Sequence, residues 1–152
     1  MERYFTKGSR IPLQNGQSAE VTTKLGEGGQ GTVYRVHIGG KEYALKWYHK
    51  GALQNPRRFY KNLENNIRQG APSPAFLWPE FLTKEKDGSF GYVMKLRPSN
   101  YREFSDFLLA KVHFSSLSAA ANAALNITNG FRELHRKGFS YQDLNDGNFF
   151  LD

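Results

Sequence analysis

Asp143 and Asn148 stand five residues apart, in a loop between two short apolar runs, 139–141 and 148–151. A carboxylate near a hydroxyl can accept its proton. An amide oxygen suits a hard cation such as magnesium. By themselves the two residues also fit a polar turn cornered at Asp146-Gly147. Lys46 is a second chemical position. It lies mid-strand between Leu45 and Trp47, where lysine is disfavoured. It is either a solvent-facing lysine or a cation held for an anionic group. Glu64, eighteen residues later, falls on a helix from which it could pair with Lys46.

A third stretch carries glycines at fixed offsets: Gly26, Gly28 and Gly31, with Glu27, Gly29 and Gln30 between them. Glycine permits positive φ and close approach, so such a loop can turn its N–H groups toward a phosphate chain. The pattern alone equally fits an ordinary glycine-rich turn. The segment after it, 32–38, is rich in β-branched and aromatic residues and reads as a strand. A dinucleotide-binding turn needs a helix there, so that reading is excluded.

A series of short elements sets where these residues stand. Residues 1–20 read as polar and irregular, and a short strand 21–25 enters the glycine loop. Strand 32–38 turns at Gly39-Gly40 into strand 41–48, making a three-stranded antiparallel meander with Lys46 on one definite face. Asn55-Pro56 starts a helix that runs to about Gln69 and stops at Gly70. Strands are expected over 76–84, weakened by Pro79, and 89–96, joined at Asp87-Gly88. Beyond Pro98 the pattern is helical, over 101–110 and 117–137. Strands with one helix, then helices, make an α+β arrangement.

Composition narrows the function classes. No apolar run is long enough to span a membrane, and residues 1–5 lack the apolar core of a signal peptide. The absence of cysteine excludes disulfide scaffolds and thiolate metal sites and fits a reducing, cytoplasmic setting. His37, His49, His113 and His135 share no ligand spacing and read as structural or solvated. The net charge of +7 is dispersed. It reads first as a solvated surface, and it suits an anionic nucleotide or acidic partner at least as well as nucleic acid, since no basic stripe is visible.

Together these residues resemble the protein kinase family. Gly26-x-Gly28-x-x-Gly31-x-Val33 matches its glycine-rich loop. Tyr43-Ala44-Leu45-Lys46 matches the V-A-I-K strand, and Glu64 fits the helix glutamate by spacing. Residues 141–148 match H-R-D-L-x-x-x-N at Asp143, Leu144 and Asn148. The resemblance runs from about residue 20 to the end. It implies a kinase-like fold with a complete N-terminal lobe (1–97) and the first part of the helical C-terminal lobe (98–152). It implies ATP and Mg2+ as cofactors and a protein Ser/Thr hydroxyl as acceptor. Lys46, held by Glu64, would contact the phosphates. Val33 and Ala44 would pack on adenine, with Met94 behind it and the backbone of Lys95 and Arg97 at the hinge. Asp143 would orient or deprotonate the acceptor, and Asn148 would bind magnesium.

Two departures qualify what is implied. Tyr141 and Gln142 replace the His and Arg of H-R-D, so activity is expected not to depend on a phosphorylated activation loop. The D-F-G segment expected after 148–151 is absent from the sequence, which implies a truncated form unable to turn over ATP efficiently by itself. A non-catalytic nucleotide-binding module and a small-molecule kinase of the same fold stand as alternatives.

Overall fold

The structure, a computed structural model, describes residues 4–140 and 148–152. It contains two compact units, Met1–Ala71 with Leu77–Leu96, and Pro72–Phe76 with Arg97–Asp152.

The first unit is a curled antiparallel sheet of six strands with one helix. In chain order the strands are β1 (Arg10–Pro12), β2 (Ser18–Glu27), β3 (Gly31–Ile38), β4 (Lys41–Tyr48), β5 (Pro79–Leu82) and β6 (Gly91–Lys95); α1 (Pro56–Gln69) comes between β4 and β5. The spatial order is β1-β2-β3-β4-β6-β5. The ends of the sheet also meet. Leu13 bridges Thr83, the Gln14 N–H donates to the Leu82 carbonyl and the Lys84 N–H to the Pro12 carbonyl, each at 2.9 Å. The described residues up to 20 are therefore not wholly irregular: they supply β1 and the start of β2. The expected strands 76–84 and 89–96 contract to β5 and β6.

Side chains alternate across a strand, and each face has its own core. One face buries Ile11, Val21, Tyr34, Val36, Leu45 and Val93. The other packs Tyr48, Leu82 and Phe90 against Leu63 of α1, flanked by Phe59, Tyr60 and Ile67. Full burial of a side chain such as Leu45 stabilises by about 2 kcal/mol. The helix begins where expected. The Asn55 side chain accepts the Arg58 N–H at 3.2 Å and Pro56 takes the first turn. It ends at Gly70, whose φ of 76° a side chain would resist.

The second unit holds β7 (Arg102–Glu103), α2 (Phe104–Leu108), α3 (Leu117–Arg136) and β8 (Phe150–Leu151). Strand β7 pairs with β8, and α3 is capped by the Ser116 hydroxyl on the Ala119 N–H at 3.0 Å. The helix expected over 101–110 is shorter, because 102–103 are taken by β7. No helix among the described residues is long and apolar enough to cross a membrane.

Candidate functional site

The glycine stretch is the hairpin between β2 and β3. Gly26 pairs with Val33 and Glu27 with Thr32, and the Gly28 N–H closes the loop on the Gly31 carbonyl at 2.9 Å. A register shift between Lys24 and Gly26 bulges the strand at Leu25, which is left 44% exposed. The glycines divide by role. A Cβ on Gly31 would sit 2.3 Å from the Trp47 carbonyl oxygen, so only glycine lets β3 approach β4 there. A Cβ on Gly26, Gly28 or Gly29 would meet nothing within 4 Å. None of these four has a positive φ. Of the two freedoms that glycine permits, the loop uses close approach: three backbone positions lie open, with no side chain over them.

Register carries the rest of the first unit's site. Val33 pairs with Lys46 across β3 and β4, and Ala44 pairs with Met94 across β4 and β6. Directly paired residues share a face, and so do residues two apart on one strand. Val33, Ala44, Lys46 and Met94 therefore occupy one face of the sheet, the face that also receives α1. Ala44 is buried; Val33, Lys46 and Met94 are half-buried. The Lys46 Nζ lies 5.4 Å from the centre of the Tyr48 ring. Burial, then the neighbouring Tyr92, pushes the Tyr48 hydroxyl well above its usual pKa, which keeps it neutral beside the lysine.

Glu64 is not brought to Lys46. No ion pair joins them among the described residues, and Glu64 instead lines a recess of about 310 Å³ with Gln14, Arg68, Glu80 and Phe81. The cause is helix rotation: Phe59, Leu63 and Ile67 turn toward the sheet, and Glu64 falls on the flank beside Tyr60. The Tyr60 hydroxyl reaches the Thr83 carbonyl at 3.0 Å, near β5.

Around the loop stands a charged group that motif spacing does not suggest. Glu27 accepts from the Lys24 Nζ at 2.5 Å and from the Tyr4 hydroxyl at 2.8 Å. The Lys24 contact, then that of Tyr4, holds the Glu27 carboxyl below the usual carboxylate range; the same contact raises the Lys24 amine. His49 donates its backbone N–H to the Gln30 carbonyl at 2.9 Å. Its Nε2 is 3.1 Å from the Gly28 carbonyl and 3.8 Å from Glu27. The sequence holds a signal for His49. Once Gly31 is opposite Tyr48 in the hairpin, residue 49 must face the loop.

In the second unit Asn148 is half-buried, just before β8. Phe149 fixes that end of the chain. Its carbonyl accepts the Phe104 N–H at 2.9 Å, and its ring packs against Phe131 of α3 at 5.9 Å. Arg97 belongs to this unit, 3.6 Å from Glu103 and over the Phe150 ring. Lys95 ends β6 in the first unit, exposed. Asp143 lies outside the described residues. Among the described residues, no group of three His, Cys, Asp or Glu could hold a metal. Asn148 is the one expected magnesium ligand whose placement is described.

No family model matches the chain, and no curated protein matches it in sequence. Solved structures do match. The PknI kinase domain of Mycobacterium tuberculosis superposes with a TM-score of 0.72 at 17% identity, covering 97% of this chain and 57% of that one. The vaccinia related kinase 3 structure superposes with a TM-score of 0.72 at 15% identity, covering 99% and 48%. The chain thus spans about half the length of these kinase domains. Its fold is that of a kinase N-terminal lobe and the start of the C-terminal lobe.

Proposed function

We propose that the chain binds ATP beneath the Gly26–Gly31 loop and serves phosphoryl transfer to a protein Ser/Thr hydroxyl. One observation carries the nucleotide reading: Val33, Ala44, Lys46 and Met94 share a sheet face beside three open glycines. Open backbone at Gly26, Gly28 and Gly29 suits phosphates, because no Cβ keeps an anion from the loop and the Gly29 N–H donates to no described group. Lys46 supplies the positive charge. Val33 and Ala44 offer an apolar surface for adenine, Met94 borders it, and the Lys95 and Arg97 backbone supplies polar contacts. In the transfer the acceptor hydroxyl oxygen bonds to the γ-phosphorus, the bond to the ADP oxygen breaks, and Asp143 takes the hydroxyl proton. Asn148 would hold magnesium, which when bound neutralises developing phosphate charge. The absence of cysteine favours a reducing, cytoplasmic setting, and the dispersed basic residues offer no stripe for nucleic acid.

Glu64 enters by pairing with Lys46 after a rotation of α1, which would trade its place in the recess for the lysine. The unmade pair and Gln142 in place of arginine favour a second reading, a nucleotide-binding module without transfer. Two measurements decide. Binding of a non-hydrolysable ATP analogue with magnesium should fall at least about tenfold in Lys46→Ala, the loss of a charged hydrogen bond. Unchanged affinity would overturn the placement of Lys46. Radiolabel transfer from ATP to a generic protein acceptor separates the readings: transfer is expected on the first, and analogue binding with no transfer would favour the second.

A further inference from the structure

A loop built of glycines is loose, because glycine loses the most conformational freedom on ordering. Within the loop only the Gly28 N–H to Gly31 carbonyl bond restrains it. The other restraints come from outside, and they act on carbonyls. His49 holds the Gly28 carbonyl with its ring and the Gln30 carbonyl with its backbone N–H. A trans peptide places its C=O and N–H on opposite sides. Fixing the Gly28 carbonyl toward His49 therefore turns the Gly29 N–H away from it, and that N–H donates to no described group. Glu27 poses the opposite problem, a carboxylate at the mouth of a loop meant for anions. Lys24 and Tyr4 bond its two oxygens and His49 stands 3.8 Å away. Tyr4 is itself held from below. The next residue, Phe5, packs edge-on against Tyr34 and Trp47 at 5.6 and 5.0 Å.

We propose that Tyr4, Lys24 and His49 form a latch that sets the glycine loop for phosphate, by aiming the Gly29 N–H and by occupying the Glu27 carboxylate. Tyr4 and His49 are positioning residues, acting through the loop on a ligand they do not touch. The proposal rests on the reading that this loop receives the phosphates of a nucleotide.

The test compares two ligands by calorimetry, a non-hydrolysable ATP analogue with magnesium and adenosine, which has no phosphate. His49→Ala should weaken the analogue by about three- to tenfold, the equivalent of one hydrogen bond, and leave adenosine unchanged. His49→Gln keeps an N–H donor of similar reach and should restore affinity. Tyr4→Phe, which removes only a hydroxyl, should act in the same direction as His49→Ala. Equal weakening of both ligands, or an unchanged analogue, would overturn the latch. Amide exchange in the ligand-free protein keeps the two readings apart. If the wild type binds no analogue, the nucleotide reading fails. Faster exchange of the Gly28 amide, which is bonded to the Gly31 carbonyl, in His49→Ala and Tyr4→Phe would then still support the latch, and unchanged exchange would sink it.

Discussion

Strand β3 has a glycine-bearing turn at each end, and the two use glycine for different reasons. At one end Gly39 and Gly40 have φ of 56° and 80°, the two left-handed residues of a tight hairpin. That turn is glycine because the backbone bends where a Cβ is penalised. At the other end no loop glycine has a positive φ. Gly31 is glycine because a strand passes against its α-carbon. Gly26, Gly28 and Gly29 satisfy neither need, as a Cβ there is neither strained nor crowded. Glycines that the fold does not require are the ones available to a ligand.

Substitution by alanine breaks the comparison or sharpens it. The largest effect should be at Gly31. A methyl 2.3 Å from the Trp47 oxygen forces β3 off β4, and Gly31→Ala should destabilise by about 3 kcal/mol in denaturant titration, the upper range for overpacking. Gly40→Ala should come next, at about 1–2 kcal/mol for a forced left-handed residue. Gly29→Ala should leave stability unchanged or raise it by up to about 1 kcal/mol through the unfolded chain, while ATP-analogue affinity falls about tenfold, a loss of about 1.4 kcal/mol of binding. A Gly29→Ala protein that lost stability and kept its affinity would dissolve the distinction.

The smallest effect concerns pH. The Glu27 carboxyl is depressed in the folded protein, first by Lys24 and then by Tyr4. Its contribution is therefore present above the ordinary glutamate value of about 4.3 and is lost as pH falls through the lower folded value. Amide protection at Gly28, bonded to the Gly31 carbonyl, should hold from neutral pH to about 4.3 and then decline, with protection at the paired Ile38 and Lys41 lost only on global unfolding. Lys24 is raised, so at high pH its contribution persists until above its usual range near 10.4. Loss of loop protection already near pH 6 would contradict this assignment of Glu27.

How much of the molecule is legible in its sequence depends on how local the signal is. Strand 41–48 and helix 56–69 have their expected bounds, because alternation, an Asn-Pro start and a glycine stop all sit within the element itself. Lys46 can be given a face for the same reason. Strand β1 is not legible in this way. Its three residues include a proline, and they pair with β2, while Leu13 just after them bridges Thr83 far along the chain. Glu64 shows a different limit. Spacing puts it on the helix, but the rotation is set by which apolar neighbours win the core, and Leu63, at 6% exposure, wins. His49 is legible through the hairpin register but not through metal-ligand spacing. Asp143 lies outside the described residues, so the role expected of it rests on the motif.

The bridge between Leu13 and Thr83 has a consequence for the order of folding. The first strand of the sheet leaves the ribosome early, yet its second neighbour is complete only after β5 has been made. Contacts this distant in sequence close late, because the loop entropy must be met before the pairing can reward it. The amino-terminal segment should therefore lock last. Until it does, the newly made lobe carries two open strand edges, β2 and β5, that can pair with other chains.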